Sequence, residues 1–358
     1  MVVMSLTIFF FSRSGMGVNH FWRRSLPWRL KSSRKCIYRT RCTTRSGYEQ
    51  AAKHFVAKEL DVAVVGRSFI ITGANSGIGK ATATAIAKKG GTVHMLCRNK
   101  ERAEKAKEDI VRETGNTEVY VHHLDMSETH KVWEFAESFK MQYPSLNVLI
   151  NNAGCMVNKR EVNDDGLEKN FATNTLGVYL LTQSLIPLLQ KSRDPRVITV
   201  TSGGMLVQKL QPDDLQSAKG SFEGTMVYAQ NKRQQVVLTE QWAKHHPAIH
   251  FSVMHPGWAD TPAVSTSMPQ FHQMMGERLR SAEQGADTVV WLALTRAAGR
   301  TRSGKFFQDR RAVPAHLPLA WTHSSPEEVR SFMTQLEILA QAAKQPRADT
   351  QHSFDPTY

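Results

Sequence analysis

Tyr228 and Lys232 are four residues apart in Tyr228-Ala229-Gln230-Asn231-Lys232, so on a helix both side chains leave from one face. A phenol titrates near ~10, and an ammonium held beside it favours the phenolate, which lets a tyrosine serve as an acid/base near neutral pH. Alone the pair is weak evidence, because the same spacing occurs on many solvated helix faces. Three upstream segments change that weighting.

Thr72-Gly73-Ala74-Asn75-Ser76-Gly77-Ile78-Gly79 follows the apolar run Phe69-Ile70-Ile71 and leads into helix-forming sequence from Lys80 to Lys89. This order predicts strand, glycine turn, helix. Gly73, Gly77 and Gly79 permit a tight turn and close backbone approach to a pyrophosphate, and Asn75, Ser76 and Ile78 fill the cradle at the helix start. An ordinary glycine loop is the alternative, but such a loop does not call for a strand before it and a helix after it.

The next predicted strand, Thr92-Val93-His94-Met95-Leu96, runs into Cys97-Arg98-Asn99. Where an acidic residue would hold the ribose 2′-hydroxyl of NAD(H), Arg98 stands 19 residues after Gly79. A guanidinium can pair with a 2′-phosphate, so NADP(H) is the expected cofactor and NAD(H) the less favoured one. A surface arginine at a loop is the competing reading. The third segment, Val148-Leu149-Ile150-Asn151-Asn152-Ala153-Gly154, is an apolar strand entering a small-residue turn.

Taken together, these motifs resemble the short-chain dehydrogenase/reductase family over about residues 50 to 320. Asp164-Asp165-Gly166-Leu167-Glu168 and Asn174-Thr175-Leu176-Gly177 are similar to its retinol-dehydrogenase-like branch. The resemblance implies hydride transfer between a nicotinamide and the carbonyl or alcohol of a small substrate. It also implies a catalytic tetrad of Asn174, Ser202, Tyr228 and Lys232. In that scheme Ser202 hydrogen-bonds the substrate oxygen, Tyr228 donates the proton in reduction, and Lys232 lowers the tyrosine pKa and binds ribose. Asn174 bends its helix and holds a water. Asn152 and Asp125 line the cofactor, Asp125 on the adenine side, and Pro256 and Thr261 hold the carboxamide. Without the resemblance, Ser202 reads as a turn serine, Asn174 as a core amide and Asp125 as a helix cap before Ser127.

Strands and helices alternate along the body, which predicts an α/β fold: a single Rossmann-type doubly wound parallel sheet with helices on both faces. Helices are expected at 99–114, 131–142, 171–189 and from Tyr228 to Lys244, and strands near Val119, Leu149, Arg196 and His250. Ligands in such sheets sit beyond the carboxyl ends of the strands. Pro262 to Arg280 carries Met268, Phe271, Met274 and Met275 and reads as a variable lid favouring an apolar substrate. Pro326 to Lys344 has apolar residues at Phe332, Leu336, Leu339 and Ala340, spacing that suits an amphipathic helix docked on the body.

Charge divides the 358 residues unevenly. Residues 1–48 hold ten of the 46 Lys/Arg and no acidic residue, so most of the formal +14 lies there and the remainder carries only +4. A nucleic-acid partner is therefore not expected. The domain reading is a basic leader at 1–48, a dehydrogenase domain at 49–322, a C-terminal helix at 323–344 and a polar tail at 345–358. The leader's Leu6–Phe11 run is too short to span a bilayer. It reads as a mitochondrial transit peptide, a membrane-surface anchor or a disordered extension, in an intracellular protein. Four cysteines without paired spacing suit a reducing compartment, and no metal site is expected. A homodimer through helices 171–189 and 228–244 and a monomer core both remain open. A catalytically silent nucleotide-binding scaffold is the rival to an enzyme, and removal of residues 1–48 is expected to leave an enzyme active.

Overall fold

The computed structural model describes residues 42–345. The leader readings for residues 1–41 and the tail beyond 345 lie outside the described residues.

Eight strands form one sheet in the order β3-β2-β1-β4-β5-β6-β7-β8. They are β1 Ser68–Thr72, β2 Thr92–Cys97, β3 Val119–His123, β4 Val148–Asn151, β5 Arg196–Val200, β6 His250–Met254, β7 Lys305–Gln308 and β8 Arg311–Ala312. Neighbours from β3 through β7 pair in parallel, and β8 returns antiparallel on β7. β1, β4 and β5 are short apolar runs buried almost throughout, as strands covered by helices on both faces must be.

The helices that matter to the site are α1 Arg45–Ala52, α2 Gly77–Ala87, α3 Lys100–Thr114, α4 Thr129–Gln142, α5 Gly177–Gln190, α6 Gly224–His245, α7 Ala282–Leu294 and α8 Pro326–Ala343. One face of the sheet is covered by α2, α3 and α7, whose Ala83, Ile86, Ala103, Ile110, Val289 and Trp291 pack on Phe69, Ile71 and Val93. The other is covered by α4, α5 and α6 with α8 outside them, through Phe139, Leu185, Leu238, Trp242 and Phe332. The doubly wound fold read from the sequence is thus the observed one. Chain order reverses beside β1, so the crevice between the β1 and β4 ends is where a ligand belongs.

Three details differ from the sequence reading. The expected continuous helix 171–189 is interrupted: a short turn Lys169–Phe171 passes into a π-helical turn Ala172–Leu176 before α5. The boundary read at 48/49 falls inside α1, whose N-cap Thr44 side chain accepts from Gly47 N. Finally, the β7–β8 hairpin extends the sheet beyond β6, and the lid stretch folds as two short helices, Pro262–Ser267 and Pro269–Met275.

Candidate active site

Ser202 follows β5 with Thr201 between them, and α6 carries Tyr228 and Lys232 past the same strand end. The Ser202 hydroxyl hydrogen-bonds the half-buried Tyr228 phenol, and Ser202 Oγ accepts from Gly204 N at 3.3 Å. Lys232 is 3% exposed. Its Nζ donates to Val200 O at 3.0 Å and lies 5.3 Å from the Tyr228 ring centroid. Thr201 Oγ1 donates to Lys232 O at 2.8 Å, which pins this part of α6 to the end of β5.

The electrostatics depart from the simple expectation of a phenolate. Burial, together with the neighbouring Cys155 thiol, pushes Tyr228 up to about 12, and the Ser202 hydrogen bond acts in the opposite sense. Burial also draws Lys232 down to about 8. Both shifts share their largest cause, the loss of water around the charged form. Burial therefore moves the Tyr228 phenol further from ionisation, the opposite of the lowering expected from Lys232.

Asn174 lies in the π-helical turn and is fully buried. Its Oδ1 accepts from Cys155 N at 2.9 Å, and its Nδ2 donates to Cys155 O at 2.8 Å and to Asn231 Oδ1 at 3.3 Å. Its main-chain carbonyl accepts from Gln235 Nε2 at 2.7 Å. The amide thus holds the loop after β4 against α6, and its Oδ1 and the Lys232 Nζ both lie beside Gly154.

The cofactor-side residues converge on the β1/β4 crevice. A Cβ on Gly79 would overlap the Gly73 carbonyl oxygen, so only glycine lets α2 start so close to β1. The α2 N-cap Ser76 makes no side-chain capping bond, which leaves first-turn N–H groups to an anion. These residues fit a dinucleotide's pyrophosphate. Asn75 and Ile78 are half-buried beside them. Asn152 Nδ2 donates to Thr72 O at 2.9 Å and Gly73 O at 3.3 Å, so its side chain braces the glycine turn. Thr72 Oγ1 accepts from Asn152 N and Ala153 N at 2.9 and 2.8 Å, which locks β1 to the β4 turn.

Thr261 comes to the same turn: a Cβ on Gly77 would sit 3.0 Å from its Cγ2. Pro256 opens the loop that leads to it, with its carbonyl held by Arg280 Nη1 at 3.1 Å. Arg98 is exposed at the end of β2, and its carbonyl accepts from His123 Nε2 at 2.9 Å. Asp125 Oδ1 accepts from Ser127 N at 2.9 Å and Ser127 Oγ at 2.8 Å, closing the turn before α4.

Sequence reasoning missed Cys155, Asn231, Gln235 and His255 as neighbours of the site. His255 Nδ1 accepts from Gly203 N at 3.1 Å and ties the loops after β5 and β6, while burial, then the Arg280 charge, draws its imidazole down to about 3. Asn231, Gln234 and Gln235 are buried on α6, where amides require partners, but their polar and charged sequence neighbours Gln230, Lys232 and Arg233 give no local sign of that burial. Among the described residues no group of three His, Cys, Asp or Glu could hold a metal ion. None of the described helices is long and apolar enough to cross a membrane.

Comparison with known proteins gives concordant results. The pattern of the short chain dehydrogenase family matches residues 67–270. The chain is 62% identical over 321 residues to dehydrogenase/reductase SDR family member 12 of Bos taurus, covering 90% of this chain and 99% of that one. It is 34% identical over 253 residues to retinol dehydrogenase 12 of Homo sapiens, covering 70% and 79% respectively. Among solved structures, a putative short chain dehydrogenase from Escherichia coli CFT073 complexed with NADPH superposes with a TM-score of 0.57 at 22% identity, covering 70% of this chain and 99% of that one.

Proposed function

This chain belongs to the short-chain dehydrogenase family, and we propose that it is an NADP(H)-dependent oxidoreductase that interconverts a carbonyl and an alcohol on a small apolar substrate. The observation that carries the reading is the Ser202–Tyr228 hydroxyl pair with Lys232 beneath the tyrosine ring at the carboxyl end of β5.

A bound nicotinamide supplies the hydride donor or acceptor, and the protein's part is to orient and polarise. Ser202 and Tyr228 present two hydroxyls to one substrate oxygen. Ser202 stabilises charge developing there, and the protonated Tyr228 phenol gives its proton to that oxygen in reduction. Lys232 keeps positive charge at the site and reaches ribose hydroxyls. Asn174 holds the loop from Asn152 to Cys155 in register with α6, so its role is positional. Arg98, exposed beyond β2, offers its guanidinium to a 2′-phosphate. The lid residues Phe271 and Met274 favour an apolar substrate, and the Trp258–Phe271 edge contact, with centroids 5.4 Å apart, supports an aromatic wall there.

The test is Tyr228→Phe in the full-length protein, assayed with NADPH against a panel of apolar aldehydes and ketones. Turnover should fall ~100-fold or more, the scale of a lost general acid, while NADPH affinity measured by fluorescence stays near that of the unsubstituted protein. Retained turnover would remove Tyr228 from the role. Nucleotide binding without turnover on any carbonyl or alcohol would instead favour a nucleotide-binding scaffold.

A further inference from the structure

The segment ahead of β1 is built into the wall of the nucleotide crevice. Arg280 is 1% exposed, and all five of its N–H groups are directed at protein oxygens. Nε donates to Thr44 O at 3.2 Å, Nη1 to Pro256 O at 3.1 Å and Asp309 Oδ1 at 2.7 Å, and Nη2 to Cys42 O at 2.5 Å and Asp309 Oδ2 at 3.1 Å. The Arg280 main chain follows the same loop, with its N donating to Trp258 O at 2.7 Å and its O accepting from Asp260 N at 2.8 Å. Trp258 N in turn donates to Thr43 O at 2.8 Å. Gly257 has φ +79, and the guanidinium lies where its Cβ would be. Arm, guanidinium and loop therefore form one bonded layer, and the loop runs directly into Thr261 against the glycine turn.

The β7–β8 turn supplies an independent second anchor. Asp309 and Arg310 both adopt left-handed backbone conformations, φ 51 and 57, which are strained for residues other than glycine. Both side chains serve the arm. Asp309 holds Arg280, whereas Arg310 pairs with Asp287 at 2.5 and 2.8 Å and stacks 4.2 Å from the Phe55 ring centroid. The Tyr48 hydroxyl hydrogen-bonds Asp287, and its ring lies 5.4 Å from the Arg280 guanidinium carbon and 5.8 Å from the Phe55 centroid.

We infer that residues 42–55 are a clasped arm of the nucleotide site, and that Arg280 is a positioning residue that sets the Pro256–Thr261 loop against the glycine turn only while this arm is docked. The inference rests on the proposed nucleotide site, and it implies that cutting the chain at residue 48 damages the site instead of merely removing a leader.

The test compares NADPH affinity, by fluorescence titration, with backbone hydrogen exchange of residues 256–261 in four proteins: the full chain, chains lacking residues 1–41 or 1–44, and full-length Arg280→Lys. Loss of residues 1–41 should change neither quantity. Loss of residues 1–44 should weaken NADPH binding at least tenfold and speed exchange at 256–261, while β1 to β5 keep their protection. Arg280→Lys, which retains charge with fewer donors, should fall between. Unchanged affinity and exchange without residues 1–44 would overturn the inference. Should that chain not fold, unchanged exchange at 256–261 in Arg280→Lys would overturn it equally. A full chain that binds no nucleotide would refute the cofactor reading, whereas the exchange comparison would still decide whether the arm holds the loop.

Discussion

Burial tunes Tyr228 and Lys232 in opposite directions, and the pH dependence of the fold should report it. Lys232 titrates near 8 in the folded chain against 10.5 for an ordinary lysine. Between these values the unfolded chain binds more protons, so the fold gains stability as pH rises through that window. Lys232→Met should therefore raise the melting temperature of the nucleotide-free protein at pH 7, with the gain shrinking toward pH 10.5, even as turnover is lost. Tyr228 has the reverse linkage. Its folded value of about 12 exceeds the ordinary 10.0, so the unfolded chain releases its proton first and stability contributed by the neutral phenol declines between pH 10 and 12. Thermal melts across pH 7 to 11 read both effects. A Lys232→Met protein less stable than the parent at pH 7 would show that its bond to Val200 O outweighs the cost of the buried charge. Tyr228 and Lys232 were legible in the sequence because four-residue spacing is a local property. Their pKa directions were not, since desolvation depends on everything packed around them.

Among the elements, α8 and the π-helical turn contrast instructively. The amphipathic pattern of Pro326 to Lys344 was readable, and α8 indeed buries Phe332, Leu336 and Ala340, with a capping box joining Ser325 and Glu328 at its start. Tyr179 on α5 donates to Glu337 Oε2 at 2.5 Å and fixes its rotation. Phe332→Ala should cost ~3–5 kcal/mol in urea unfolding, the scale for deleting a fully buried phenylalanine, without altering NADPH affinity. A cost below ~1 kcal/mol would mean that α8 rests on the body without bracing it. The π-helical turn was not readable. Apolar periodicity through Phe171 to Leu189 is the same whether or not one residue is added to a turn. At the widened turn the Asn174 side chain bonds Cys155 and its carbonyl accepts from Gln235, partners distant in sequence that no local pattern announces.

At the scale of the whole molecule, every candidate residue gathers at one end of the sheet, where the crevice beside β1 opens. A nucleotide bound only to the folded form stabilises it by ~2.7 kcal/mol at one hundred times its dissociation constant. NADPH should accordingly raise the melting temperature of the full-length protein, and NADH at equal concentration should do so less. Arg98→Asp should abolish that difference by weakening NADPH roughly 10- to 100-fold, the range of one or two charge-assisted bonds at ~1.4 kcal/mol per decade. Equal shifts for the two nucleotides in the parent protein would assign Arg98 to the surface alone.

The sequence by itself determined the fold class, the glycine turn and the tyrosine–lysine pair, because each rests on short-range periodicity or spacing that survives without knowledge of partners. It also showed that basic charge is concentrated in residues 1–48 and that the rest is nearly neutral, a compositional boundary that falls inside α1. Only the tertiary structure decided that Asn152 braces Thr72 and Gly73, that Cys155 and Gln235 hold Asn174, and that Arg280 joins Cys42, Pro256 and Asp309. Those contacts bridge up to 238 residues of chain, and no local pattern encodes which distant carbonyl a buried guanidinium or amide will reach. Their partners are set by strand order and by the requirement that buried donors be satisfied.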